Sequence, residues 1–379
     1  MIQVAAAIII AYLVTFFLMP FIIKMARQSR LYDVPDERKT HAYLISSLGG
    51  IGLFTGLAIS LLLTSDFKIN SAEFQYHLAA FFIIFTIGVV DDIFVLKPWK
   101  KLLGQLITTA VITVKAHLVI TNLDGFLGIY HLSTVTSYAA SFFAIMLIIN
   151  AFNLIDGVDG LAASLGLISS VIFSLFFLVN QDYPYAILGF ALAGALLAFL
   201  VFNFHPAKIF MGDSGSMLIG LVNAILFLKF VNSGSVVADY PVKSALLVGF
   251  GILLIPLMDV LRVFCIRLYK GRSPFSPDRN HIHHLMLNKG FNHSQVTLSL
   301  LALSVVFSAG TFFFRNININ FLFAIQGGMF FTGILLFYYF TSTKKSLRVV
   351  SRSSDQVNDG SVHVFSLYRE NEKSVVREE

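Results

Sequence analysis

The chain has 379 residues, 56% hydrophobic and 13% charged, with a formal net charge of +6 and a mean hydropathy of +0.79. A soluble domain carries about a quarter charged residues, so this composition excludes an ordinary soluble enzyme. Apolar runs of about 18 residues or more, each long enough to cross a bilayer as a helix, recur along the chain. The short alternating segments of a β-barrel do not.

In chain order the apolar runs fall near 3–23, 47–65, 76–95, 102–121, 136–153, 161–180, 185–204, 215–232, 243–268, 296–314 and 320–341. The first has no basic segment before it and no small-residue cleavage site, and reads as a retained span rather than a signal peptide. The expectation is an all-α polytopic transmembrane bundle of about eleven spans. Residues 1–342 form the membrane domain with its connecting loops. The polar, charge-mixed tail, 343–379, is expected to be flexible. Within the spans, Pro256 predicts a kink, and Asp259 with Arg262 reads first as a structural i, i+3 pair. Lys115 is assigned no role. The single cysteine, Cys265, excludes an intrachain disulfide.

Lysine and arginine set the orientation. One side receives Lys24, Arg27, Arg30, Arg38, Lys39, Lys97, Lys100, Lys101, Lys208, Arg267, Lys270, Arg272, Arg279, Lys289 and the tail. The other receives Lys68, Lys243 and Arg315. The basic side is therefore read as cytoplasmic, with the N-terminus outside and the C-terminus inside. That face fits topology and attraction to anionic lipid, and does not imply nucleic acid.

The acidic motifs sort onto the same face. GVVDDIF ends the third run with adjacent carboxylates, Asp91 and Asp92. Neighbouring anions repel and desolvation disfavours their charge. A divalent hard cation relieves both effects, and the bland alternative is a solvated helix end. NLIDGVDGL follows the fifth run and, if helical, places Asn153, Asp156 and Gly160 on one face with Asp159 beside Asp156. Its bland alternative is a Gly/Asp turn. KIFMGDSGS, residues 208–216, feeds the eighth run. It suits a phosphate at a helix N-terminus with Asp213 on a metal, or a plain N-cap. SPFSPDRNHIHHL, residues 273–285, groups Arg279 with His281, His283 and His284. The spacing fits no common zinc pattern and suits phosphate contacts, against a solvated loop. Arg38, Lys39 and His41 precede a Gly-Gly helix start, as substrate contacts or as flanking charge.

Taken together, NAFNLIDGVDGL, VVDDIF, FMGDSGS, RKTH, SLGGIG and KGRSPFSPDRNHIHHLMLNKGF resemble the polyprenyl-phosphate N-acetylhexosamine-1-phosphate transferases. The resemblance spans about residues 30–295. The His-Ile-His-His sequence is similar to the branch making undecaprenyl-pyrophosphoryl-N-acetylglucosamine. That branch starts O-antigen, enterobacterial common antigen and teichoic-acid-type glycans. The branch using UDP-MurNAc-pentapeptide typically has three consecutive histidines there. Members often carry an acid or a base shortly after the Asp pair. Here Ile93-Phe94-Val95 is apolar, so a third acid's role does not transfer.

The resemblance implies a bacterial plasma-membrane enzyme with its active site on the cytoplasmic face. It would transfer GlcNAc-1-phosphate from UDP-GlcNAc to undecaprenyl phosphate, with Mg²⁺ as cofactor and Mn²⁺ as a substitute. Asp213, with Asp91 or Asp92, is implied as metal ligand. Asp91, Asp92, Asp156, Asp159 and His281 are implied as catalytic. Asn153, Arg279, His283, His284, Lys39 and His41 are implied in substrate binding. A homodimer is compatible with this reading, as is another UDP-N-acetylhexosamine donor such as UDP-GalNAc. An ion-coupled transporter is the rival from another class. Against it, the acids gather at one membrane face rather than at the midplane, and no inverted repeat is visible.

Overall fold

Inside a hydrocarbon slab a backbone satisfies its polar groups only by internal hydrogen bonding, and the apolar runs accordingly fold as helices. A computed structural model describes residues 1–29, 45–64, 71–234, 240–271, 280–340, 349–350 and 366–367. In order these form α1 (Ile2–Gln28), α2 (Gly49–Thr64), α3 (Ser71–Phe94), α4 (Pro98–Ala110), α5 (Thr134–Ile155), α6 (Leu161–Val179) and α7 (Tyr183–Asn203). They continue with α8 (Gly212–Gly234), α9 (Ala245–Ile252), α10 (Leu254–Tyr269), α11 (Ile282–Asn288), α12 (His293–Phe313) and α13 (Ile319–Phe340). A hairpin of β1 (Asn122–Phe126) and β2 (Ile129–His131) separates α4 from α5. In the tail, Val349–Val350 pairs antiparallel with Ser366–Leu367. The expectation of a flexible tail otherwise lies outside the described residues.

Helix α8 is the axis of the bundle. It is buried almost continuously from Ser214 to Val231, and packs against α2, α3, α5, α6, α7 and α9. Helix α1 packs on α2 and α7 through small residues, as membrane helices do where no water drives association. Ala7 and Ala11 are fully buried there, and the Ser60 hydroxyl donates to the Ala7 carbonyl at 2.8 Å.

Among the described residues, eight helices are long and apolar enough to cross a membrane. The pair α9–α10 makes a ninth if taken as one span, bent by 84°. All eleven apolar runs carry helix, but three are irregular. The run at 47–65 is a 16-residue helix. The run at 102–121 begins in α4, widens into a π turn over Val111–Lys115 and ends extended. It still traverses the full length of α8: Lys101 meets Asp213 at one end, and the Val119 carbonyl accepts from Asn232 at the other. In the run at 243–268 the bend falls at Leu253, three residues before Pro256. The proline has no N–H for the Ile252 carbonyl and its ring collides with that position, so the break lies upstream of the proline itself.

Candidate active site

Four helix ends converge: the C-termini of α3 and α5 and the N-termini of α4 and α8. Asp92 makes the first link. Its Oδ1 accepts from the Asp213 N–H at 2.7 Å. Its Oδ2 accepts from the Ser214 N–H at 3.1 Å and the Ser214 hydroxyl at 2.6 Å. Asp92 thus caps α8 from another helix, satisfying N–H groups that a helix start leaves unpaired and meeting the positive end of its dipole. Gly88, one turn earlier on α3, makes the approach feasible. A Cβ there would lie 2.3 Å from the Ser214 Cα.

Asp213, placed by this cap, meets α4 and α5. Asn153 donates its amide N–H to Asp213 Oδ1 and to the Ser216 hydroxyl, the latter at 3.0 Å. The Lys101 ammonium donates to Asp213 Oδ2 at 2.5 Å and to Asn153 Oδ1 at 3.1 Å, and lies 3.5 Å from Asp91 Oδ2. Asp91 is oriented by the Leu96 N–H, which donates to its Oδ1 at 2.6 Å. One turn deeper, Asn150 donates to Gln105 Oε1 at 3.1 Å, a second polar rung tying α4 to α5. Asp91, Asp213 and Asn153 thus surround a single ammonium. The residues after the Asp pair are apolar, yet a base arrives from α4.

The segment after Asn153 departs from the helical expectation. Helix α5 stops at Ile155, Asp156 takes φ −76° and ψ 44°, and Gly160 takes φ +73° at the entry to α6. Asp156 and Asp159 therefore diverge instead of sharing a helix face. The half-buried Asp156 faces the acid cluster, and no hydrogen bond reaches its carboxylate among the described residues. Burial, then the charges of Asp213, Asp92 and Asp159, hold its carboxyl well above the usual carboxylate range. Asp159 turns the other way. Its Oδ2 accepts from His205 Nδ1 at 2.7 Å and the Ala207 N–H at 3.2 Å. Its Oδ1 lies 3.2 Å from His293 Nδ1, and its carbonyl accepts from the Thr297 hydroxyl at 2.8 Å. The His205 and His293 rings stack at 5.1 Å.

The histidine motif forms the start of α11. His281 is bound through Nδ1 to Asp259 Oδ2 at 2.8 Å. His283 stacks on His281 at 5.7 Å and against His284 at 4.3 Å. Its ring lies over Gly157, where a Cβ would sit 2.5 Å from Nε2. A side chain at 157 would push the histidine motif off the acidic loop. Burial, reinforced by His284, pushes the His283 ring down to about 3, so it is neutral at physiological pH.

Of the residues the sequence singled out, Asp91, Asp92, Asn153, Asp156 and Asp213 come together. His283 and, behind it, His281 border them across Gly157, beside His284. Asp159 belongs to a neighbouring pocket. Lys39, His41 and Arg279 lie outside the described residues. Sequence reasoning missed Lys101, indistinguishable in PWKK from Lys97 and Lys100 as a flanking charge. It also missed His205 and His293, isolated residues with no spacing pattern.

Residues 74–231 match the family described as glycosyl transferase family 4, a stretch that contains the acid cluster from Asp91 to Asp213. The chain is 32% identical over 332 residues to the decaprenyl-phosphate N-acetylglucosaminephosphotransferase of Mycobacterium leprae, covering 81% of this chain and 83% of the relative. It is 32% identical over 316 residues to the undecaprenyl-phosphate alpha-N-acetylglucosaminyl 1-phosphate transferase of Escherichia coli K12, covering 82% and 84%. The protein of the same name from Yersinia pestis is 31% identical over 292 residues, covering 75% and 78%.

Proposed function

This chain is a member of glycosyl transferase family 4, and we propose that it transfers GlcNAc-1-phosphate from UDP-GlcNAc to undecaprenyl phosphate. The products are undecaprenyl-pyrophosphoryl-GlcNAc and UMP. The observation that carries this reading is the acid cluster itself: Asp91, Asp213 and Asn153 closed around one ammonium, with Asp156 beside them and, among the described residues, without a hydrogen bond.

The donor set fits Mg²⁺. Asp91, Asp156 and Asp213 offer hard carboxylate oxygens and Asn153 an amide oxygen, the ligands this ion prefers. The Lys101 ammonium already marks a place among them where positive charge is favoured. Asp213, Asp91 and Asp156 would hold the ion, with Asp92 fixing Asp213 through the α8 cap. When bound, Mg²⁺ supplies Lewis-acid neutralisation of phosphate charge, and Mn²⁺ is the natural substitute.

The chemistry asks little of a base. A phosphate monoester has a second pKa near 6 and is largely dianionic at neutral pH. A lipid-phosphate oxygen attacks the sugar-bearing phosphorus, and the bond from that phosphorus to the UMP phosphate breaks. One pyrophosphate replaces another, and the sugar C1–O bond is untouched. The obstacle is bringing two anions together. Lys101 lies where its ammonium offsets that repulsion, and Asn153 holds both Lys101 and Asp213 in register. His281, His283, His284 and Arg279 contact the pyrophosphate or sugar, with Lys39 and His41 as further substrate contacts. The Lys/Arg distribution supports a site on the cytoplasmic face of the bacterial plasma membrane, where UDP-sugars are available.

The test is UMP release by the purified chain in detergent with undecaprenyl phosphate and Mg²⁺, using UDP-GlcNAc, UDP-GalNAc and UDP-MurNAc-pentapeptide in parallel. Release should require lipid phosphate, stop on adding a chelator, disappear in Asp213→Asn and be fastest with UDP-GlcNAc. A faster rate with another donor would move the reading to that sugar. Release from none, by folded protein, would refute it.

A further inference from the structure

Asp259 is nearly inaccessible, with 1% of its surface exposed. Nothing in the transfer chemistry above uses it. Its carboxylate is engaged on three sides. Arg262 Nη2 donates to Oδ1 at 3.0 Å and the Ile282 N–H donates to Oδ1 at 2.9 Å. His281 Nδ1 lies 2.8 Å from Oδ2. Arg262 also donates to the Asn280 carbonyl. The start of α11 is therefore pinned to α10 by residues separated by about twenty positions in sequence.

The effect on His281 is specific. A carboxylate only accepts, so Nδ1 must carry the proton, and the neutral ring is held in one tautomer with Nε2 bare. Nε2 is buried and, among the described residues, has no hydrogen-bond partner. A buried polar atom left unpaired is costly, and such an atom at the edge of a site marks a place for a ligand. The ring stacks on His283, which lies over Gly157 in the acidic loop. A bare Nε2 accepts and does not donate, so its partner must be an N–H or O–H.

We propose that Asp259 is a positioning residue that holds His281 by Nδ1, so that the bare Nε2 accepts a hydrogen bond from an N–H or O–H of the nucleotide-sugar's hexosamine. This rests on the transfer reading above and deepens it. Arg262 keeps the Asp259 carboxylate in place and half-neutralised. The Ile282 N–H ties that carboxylate to the backbone next to His281. No bond is made or broken by the pair; it binds and orients.

Asp259→Asn separates positioning from packing. The amide oxygen remains on Arg262 and Ile282, both donors, so the amide –NH₂ faces His281 Nδ1 and forces the proton to Nε2. The shape is kept and the tautomer reversed. In the full-length protein in detergent, histidine ¹⁵N NMR at alkaline pH should show an Nδ1-protonated ring that is lost in His281→Gln. In Asp259→Asn the same ring should become Nε2-protonated. With UDP-GlcNAc and undecaprenyl phosphate, each single variant should lower kcat/KM by about 10- to 100-fold, the usual range for an outer-shell partner. The double variant should fall no further than His281→Gln alone, because Asp259 acts through that ring.

Losses that multiply in the double variant, or an unchanged tautomer in Asp259→Asn, would overturn the proposal. If Asp259→Asn does not fold, Asp259→Glu decides. The retained carboxylate must keep the Nδ1-protonated signal and more activity than His281→Gln, and failure on either count would refute positioning. If the wild type released UMP from no donor, the transfer reading would fail while the tautomer result would still judge Asp259 as the holder of His281.

Discussion

Asp156 and Asp159 belong to one motif, three residues apart, yet the fold gives them opposite situations. Asp159 is buried and engaged: His205 and the Ala207 N–H meet its Oδ2, His293 lies beside its Oδ1, and a threonine hydroxyl meets its backbone carbonyl. Asp156 is half-buried, accepts no hydrogen bond among the described residues and faces other carboxylates. A buried residue so engaged ties together the elements around it, here the α5–α6 turn, the segment after α7 and α12. A carboxylate left unpaired among like charges is destabilising by itself and is tolerated where a cation will arrive. The helix that ends at Ile155 creates the difference, because two carboxylates on a continuous helix would have faced the same way.

The largest expected effect follows from the Asp156 side. Asp156→Asn should reduce UMP release on the order of 10²–10³-fold, the scale of removing one preorganised charge from a reaction centre. Its thermal midpoint should stay at or above wild type, because a repulsive charge is removed. Comparable activity would place the reacting phosphates elsewhere. Lys101→Gln should cost about 10²-fold in kcat, with more modest change in KM for the donor, since the ammonium acts where charges are brought together. A pure KM effect would make Lys101 a binding contact only.

Asp159→Asn should show the reverse balance. It leaves His205 and the Ala207 N–H poorly matched, destabilising the fold by about 1–3 kcal/mol. Residual activity per folded molecule should exceed that of Asp156→Asn. The opposite ranking would dissolve the distinction between the two aspartates. The last effect concerns His283 and appears only on acidification. Its ring titrates near 3 when folded and near 6.5 when unfolded, so the unfolded chain takes up the proton first. Stability is therefore complete above pH of about 6.5 and declines as pH falls toward 3. His283→Gln should flatten that decline in a thermal melt series, and an unchanged slope would place the titrating group elsewhere.

Much of this was legible in the sequence for physical reasons. Hydrophobic length reports membrane helices directly, and every apolar run carries helix. Hydropathy does not register a π turn, so the irregular course after Ala110 was invisible. Pro256 announced a disturbance in its span, but its steric reach runs backward to the preceding turn, which moved the break to Leu253. Asp91, Asp92, Asn153, Asp156 and Asp213 stood out because acids are rare in oily sequence. Lys101 did not, because bases flank most membrane spans. Asp259 was visible as half of an i, i+3 pair with Arg262, and that pair forms. Its tie to His281, 22 residues on, depends on how α11 folds back, which no local pattern encodes.

The most direct test of the division between Asp156 and Asp159 is Mn²⁺ binding by the purified chain, followed by electron paramagnetic resonance as free Mn²⁺ disappears. The account predicts a bound ion in the wild type that is weakened or lost in Asp156→Asn and Asp213→Asn and retained in Asp159→Asn. Loss in Asp159→Asn with retention in Asp156→Asn would put the cation in the histidine pocket and contradict the assignment.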